Sequence, residues 1–504
     1  MEPYSLITGH LLLMNKIRKQ FPSDSHQTII NKKIMENWNE YFPGATECPP
    51  VIYLDLWPFV PFTFAMVVSP ELCAQLTQVT PQPRQPMFKW AQKPLTDGLD
   101  MLSLDWTGHK LWRSRLNPGF SSQSLNSHFP ALIEEVDIFS QIMTSQAGPA
   151  GEWGQMFTMY DKVIALTFDI IARITTGLRL YEQSSGPSPL LVSLRNLIAC
   201  LKLDSLKNRI ERHTPSFKRK VYQNAEVIRK LLQPEVEARI LESSKLADRK
   251  TVVDLAVKEM GNEQSTRSEV FVEEVIANLK IFLFAGHETT AQTLCWVYWE
   301  INKYPGVVEK LRKEHDQVLG KDPTAAKKTL LSSHHKLSEL SYTTAVIKET
   351  LRLRPPAGTL RKCAPDFAFV EDGVQYPTYD CVVQTTPVAL HRHPDLWPTS
   401  NEFIPERFLG PENDPLRPVK NAFRPFELGT MRCIGEELAM MEMKLALVFT
   451  LRELDMEFNY DLWDKVQGRA GPVQMQDGER AYRAGKGMGT IKDELPTRVR
   501  LRTI

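Results

Sequence analysis

From Ser268 to Tyr304 the chain is helix-patterned for 37 residues, and it stops at Pro305-Gly306. At ~1.5 Å per residue such a helix reaches about 55 Å, enough to cross a whole domain. A rod of that length is buried only if the rest of the chain packs around it, so it sets the core. Its middle reads Ala285-Gly286-His287-Glu288-Thr289-Thr290. Thr side chains bond back to the carbonyl four residues earlier, and Gly286 weakens the helix, so this turn is expected to loosen, hold water and relay protons. His287-Glu288 invites a zinc-protease reading, but position 291 is Ala, so the second histidine of that motif is missing.

A second constraint lies near the C-terminus, at Phe426-Glu427-Leu428-Gly429-Thr430-Met431-Arg432-Cys433-Ile434-Gly435. Gly429 permits a turn with positive φ, and Gly435 lets the backbone approach something flat and bulky. A helix follows, and its first N–H groups are expected to lower the thiol pKa of Cys433 and favour the metal-binding thiolate. Upstream, Glu349 and Arg352 stand three apart in Lys348-Glu349-Thr350-Leu351-Arg352, so on a helix they share a face and can pair. Pro405-Glu406-Arg407-Phe408 supplies an arginine that could close a network with Glu349.

No linker, charge block or repeat divides the 504 residues, and a net charge of +1 gives no reason to expect nucleic acid. Seven cysteines with no CxxC pair suit a reducing compartment and argue against a disulfide framework or zinc ribbon. No apolar run reaches the ~18 residues of a membrane span. Residues from about 45 to 80 and from about 360 to 390 show strand-like alternation, with a turn at Asp372-Gly373; most of the rest is helix-patterned. His391, Arg392 and His393 read as loop residues rather than a metal site. The Gly485–Gly489 run is not a dinucleotide loop, because no strand precedes it and no helix pattern follows. No nucleotide-binding fingerprint appears elsewhere in the chain.

Taken in chain order, the Ala285–Thr290, Glu349–Arg352, Pro405–Phe408 and Phe426–Gly435 motifs resemble the cytochrome P450 superfamily of heme-thiolate monooxygenases. The resemblance runs from about Gly9 to the C-terminus. Segments such as HRHPDLWP, FIPERFLG and CIGEELAM are most similar to filamentous-fungal members serving secondary metabolism. It implies a mainly α fold with a small β-rich lobe: a lead-in at 1–24 lacking the usual membrane anchor, and a catalytic domain over 25–504. It implies heme b, with Cys433 as axial iron ligand and Phe426 against the proximal heme face. Arg113, Arg361 and His109, the last where the family usually has tryptophan, would meet the propionates. Thr289 and Glu288 would be the catalytic pair. Glu349, Arg352 and Arg407 would be structural, holding the proximal scaffold.

Met431 departs from the family, which usually has arginine there, and should cost heme affinity on the order of 1.5–3 kcal/mol. Ile281, Phe284, Ala285 and Ala357 to Leu360 would line an apolar substrate pocket. Electrons would come from NADPH through a separate reductase, steered by Lys110, Arg115 and Arg432. The expected location is the endoplasmic reticulum membrane surface, by peripheral contact, or the cytoplasm. Two alternatives remain open at this point: a heme-thiolate isomerase or dehydratase, and a degenerate non-catalytic heme-binding protein.

Overall fold

The computed structural model describes all residues except 59, 202–205, 242–250, 259–268 and 504, with backbone alone at 206 and 207. Helices at Trp106–Leu116 (α1), Ser122–Ser145 (α2), Met159–Thr176 (α3), Glu269–Asn302 (α4), Ser341–Leu353 (α5) and Glu436–Leu451 (α6) form the frame of a large helical lobe. The expected rod is α4; its expected first residue, Ser268, lies outside the described residues. From Thr290 to Val297 every residue of α4 is buried, as a helix crossing a core requires. Apolar side chains of α2, α3, α4 and α6 share one continuous core.

Gly286 has a different role from the one expected. The α4 helix runs unbroken through it, and a Cβ there would stand 2.7 Å from Ile171 Cγ1 on α3. Its missing side chain lets α3 and α4 approach closely rather than loosening a turn.

The β-rich lobe is a four-stranded sheet. Val51–Asp55 (β1) pairs antiparallel with Thr63–Val67 (β2), and Thr359–Arg361 (β3) pairs antiparallel with Cys381–Thr385 (β6), which runs parallel to β2. Between β3 and β6, Ala368–Glu371 (β4) and Val374–Pro377 (β5) form a hairpin. Asp372 and Gly373 both have positive φ, as a tight two-residue hairpin turn requires. Within the stretch from 45 to 80, Pro70–Ala74 is helical rather than extended: Ser69 caps it through Leu72 N–H, and Pro70 opens it.

A further pair, Leu454–Phe458 (β7) with Pro496–Leu501 (β8), lies outside both expected strand regions. Arg483–Ala484 pairs with Thr490–Ile491, so a short strand does precede the glycine run, which closes a hairpin rather than opening a helix. Ahead of residue 25, the helix Leu11–Arg18 buries Leu13 and Ile17 against Ile29, Ile34 and Ile52 of the β-rich lobe. No described helix is long and apolar enough to cross a membrane.

Candidate functional site

The cysteine loop is fixed at both ends before the sulfur is placed. Cys433 N–H donates to Phe426 O at 2.8 Å, closing the loop, and Gly435 caps α6. Gly429 has φ +85°, and a Cβ on it would fall 2.0 Å from Thr77 O, so only glycine fits. A Cβ on Gly435, by contrast, would meet only Cys433 Sγ, at 4.0 Å. Cys433 is exposed although protein surrounds its sulfur closely, so the side chain opens onto an internal space. The thiol pKa is raised, not lowered as expected. Burial is the largest cause; the Gly435 N–H, Arg113 and Arg432 oppose it, and Glu436 adds to the rise. The helix N-terminus is outweighed by desolvation, and a thiolate in this position needs a cation beside it.

Around that loop the fold gathers positive charge, with Arg361 buried and Arg84 and Arg113 half-buried. Arg113 on α1 donates from Nη1 to Arg432 O at 2.7 Å. Arg361 on β3 is 1 % exposed and donates from Nη1 to Gln82 O at 3.2 Å and against Met431 Sδ, while its Nε has no partner. Arg84, which the sequence reading missed, bridges to Arg361 through the backbone and leaves Nη1 buried without a partner. Its pKa is pushed down to about 9, by burial first and then by Arg361 and Arg113. His109 on α1 is held neutral, pushed down to about 3 by burial and then by the same three arginines, and its Nε2 is also buried without a partner.

The nearest carboxylates are spent elsewhere. Asp100 is bonded by Thr96, Ser103 and Leu102, and Glu427 by Arg424 and Thr385. Among the described residues none of these three arginines has an ion-pair partner. Buried guanidinium nitrogens without an acceptor, as in Arg84 and Arg361, are costly, so the cluster fits an anionic group. A flat macrocycle with two carboxylates, its metal against an open sulfur, meets both features; heme fits this donor set. Met431 is buried, and its thioether lies against the Arg361 guanidinium.

On α4, Ala285 is exposed although the residues from Ala277 to Leu283 are buried, so this face also borders an internal space. Thr289 Oγ1 donates to Ala285 O at 2.8 Å, and Thr293 donates to Thr289 O at 2.8 Å. Glu288 is half-buried, and burial pushes its carboxyl up to about 7 against a small opposing pull from Arg195. His287 is turned away into the core: it stacks edge-on against Phe168, and its Nδ1 meets Leu283 O. Ile281 is buried, Phe284 half-buried, and Ala357 and Gly358 exposed.

Glu349, Arg352 and Arg407 are fully buried. Arg352 grips both oxygens of Glu349, Nε to Oε2 at 2.7 Å and Nη2 to Oε1 at 2.8 Å, and Arg407 Nε reaches Oε1 at 3.4 Å. Arg352 also donates to the carbonyls of His391, Ser400 and Glu402, so the network ties α5 to the loop that follows β6. His391, read from sequence as an ordinary loop histidine, is buried, and its Nε2 accepts from Arg424 N–H at 3.0 Å. Arg424 in turn holds Glu427 inside the cysteine loop. A continuous chain of bonds therefore runs from Glu349 to the residues that position Cys433.

The cytochrome P450 family model matches residues 57–470. The chain is 33% identical to cytochrome P450 monooxygenase polC of Polytolypa hystricis, over 99% of this chain and 89% of that protein. It is 30% identical to cytochrome P450 monooxygenase acrF of Aspergillus aculeatus, over 88% and 92% respectively. Cytochrome P450 3A29 of Sus scrofa is 31% identical over 68% of this chain and 66% of its own length.

Proposed function

Because the chain belongs to the cytochrome P450 family, as a monooxygenase with heme b that takes electrons from a redox partner, we propose that Cys433 is the axial thiolate. Arg84, Arg113, Arg361 and His109 hold the propionates, and Phe426 packs on the proximal side. The observation that carries this is a cluster of three arginines without a carboxylate partner, with Arg84 Nη1, Arg361 Nε and His109 Nε2 buried and unpartnered, set around an open sulfur.

When bound, the heme activates dioxygen so that one atom enters the substrate and the other leaves as water. The chain's own contribution is positional and protic. Thr289, by turning its hydroxyl from Ala285 O, offers a proton on the α4 face that borders the internal space. Glu288, with its carboxyl near neutrality at about 7, can give and retake a proton close to physiological pH. Glu349, Arg352 and Arg407 hold the proximal scaffold.

The substrate is an apolar small molecule of secondary metabolism, lodged against Ile281, Phe284 and Ala285. The electron donor is an NADPH-dependent flavoprotein reductase. Lys110 and Arg432 are exposed, and Arg115 lies over the Trp112 ring on the same helix as Arg113, a basic face suited to an acidic partner. Leu6, Ile7, Leu12 and Trp57 are exposed apolar side chains near the β-rich lobe and support peripheral contact with the endoplasmic reticulum membrane. Oxygen uptake by the holoprotein with NADPH and a P450 reductase tests the reaction. Uptake coupled to hydroxylated product is expected; product without reductase would indicate isomerase chemistry instead.

A further inference from the structure

Beside the hairpin of Arg483–Ala484 and Thr490–Ile491, a small cavity of about 50 Å³ lies against α4. That is room for a few waters or one small inorganic ion. The helix Thr28–Glu36, α4, the end of α5 and the C-terminal segment each supply part of its wall. Its charged lining is Lys32, Arg354, Arg392 and Arg483, and among the described residues no carboxylate lines it. His26, also in the wall, is neutral, its pKa pushed down to about 4 by burial and then by Arg483. Neither Cys433 nor Arg84, Arg113 or Arg361 borders it, so it is separate from the cation cluster at the cysteine loop.

Acids stand just outside, in a wider cavity of about 330 Å³ that shares Lys32, Arg354 and Arg392 with the first. They are already matched by cations. Glu36 and Asp477 pair with Lys32 and Lys33. Glu300 and Glu479 pair with Lys303 and Arg354. That leaves Arg392 and Arg483, and among the described residues neither has an ion-pair partner. Arg392 is 5 % exposed; Nη1 and Nη2 donate to Asn401 Oδ1 and Leu353 O, and its Nε is buried without an acceptor. Arg483 is half-buried and donates to the carbonyls of Pro355, Pro356 and Met488. Carbonyls satisfy N–H groups without cancelling charge, and burial pushes the pKa of both arginines down to about 10. Two further lining residues, Gln292 and Gln476, each bury an amide oxygen that has no donor. The wall thus presents two uncancelled positive charges together with acceptors in need of a proton donor.

We propose that this cavity is a site for hydrogen phosphate, held by Arg392 and Arg483 and donating its O–H to Gln292 Oε1 or Gln476 Oε1. Its two negative charges match the two arginines, and its acceptor oxygens suit guanidinium donors. Sulfate carries the same charge but no O–H, so it would leave both amide oxygens unsatisfied, at a cost in affinity. The exposed Tyr304 lines the wider cavity, which gives the ion a path from solvent. Once bound, the ion ties Thr28–Glu36 and the end of α5 to the C-terminal hairpin, whose Gly489 O already accepts from Gln292 at 3.0 Å. The site stands on these residues alone and is independent of the monooxygenase reading.

Calorimetric titration of the holoprotein with sodium phosphate and with sodium sulfate, at pH 8 and fixed ionic strength, tests it. One phosphate is expected to bind per parent chain, at least tenfold tighter than sulfate. Arg392→Met should weaken both anions at least tenfold. Gln292→Leu and Gln476→Leu remove no charge and read the preference even if Arg392→Met does not fold; one of them should bind phosphate and sulfate alike. No saturable phosphate binding to the parent, equal affinity for sulfate, or a phosphate preference that survives in both glutamine variants would each overturn the proposal.

Discussion

His391 accepts a hydrogen bond from the backbone N–H of Arg424 at 3.0 Å, and its own carbonyl accepts from Arg352 at 2.9 Å. One buried residue thus joins the Glu349 network to the cysteine loop. His391→Phe keeps the stacking on Phe423 but leaves the Arg424 N–H buried without an acceptor, at a cost of about 1–3 kcal/mol. The expected result is a lower denaturation midpoint together with reduced heme content. Parent-like values of both would mean that the link contributes nothing.

Arg84 should have opposite effects in the two forms of the protein. Without heme, Arg361 and Arg113 repel it, so Arg84→Met raises the midpoint of the heme-free chain. With heme, the same change removes a charge-assisted partner and weakens retention by about 1.5–3 kcal/mol, roughly tenfold or more. Heme transfer to apomyoglobin and melting of the apoprotein read the two signs. The same sign in both would argue against Arg84 as a propionate partner.

The two glycines of the cysteine loop should separate folding from heme loading. Gly429→Ala places a Cβ against Thr77 O at positive φ and is expected to abolish heme incorporation along with the loop. Gly435→Ala meets only Cys433 Sγ, at 4.0 Å, so the heme-free chain should melt as the parent does while heme occupancy falls. Heme-to-protein absorbance ratios and apoprotein melting give both readings.

Glu288 sets a pH dependence whose sign follows from its raised carboxyl pKa. The unfolded chain ionises near 4.5, while the folded chain holds the proton until about 7. Folding therefore loses stability as pH rises across that interval and is level above it. Glu288→Gln lacks this loss, so its stability advantage should grow from pH 4.5 to pH 7, reaching about 1–2 kcal/mol once partial exposure is allowed for. Turnover that needs the protonated acid should fall as pH rises through about 7 in the parent, with that limb absent from the variant. Parallel stability profiles would refute the assignment.

What the sequence made legible was local spacing. Glu349 and Arg352 share a turn of α5, Asp372-Gly373 turns a hairpin, and a glycine-flanked cysteine precedes a helix. What it hid depended on distant contacts. Arg84 joins the cation cluster only because its backbone pairs with Arg361. The direction of the Cys433 pKa turns on burial, which no neighbouring residue announces. Gly286 reads as a helix breaker in sequence, but its role comes from Ile171, which packs against it from α3. His391 reads as a loop residue because its acceptor role needs Arg424, thirty-three positions away. The β7–β8 pair joins segments about forty residues apart, so neither strand had a local turn signal to mark it.

On the reading proposed above, Cys433 binds the heme iron as a thiolate. The direct test is the absorption spectrum of the dithionite-reduced holoprotein under carbon monoxide, for the parent and for Cys433→His. A strongly red-shifted Soret band is expected in the parent, absent from the variant even where heme is retained. An unshifted band in heme-loaded parent protein, or a shifted band that survives in Cys433→His, would contradict it.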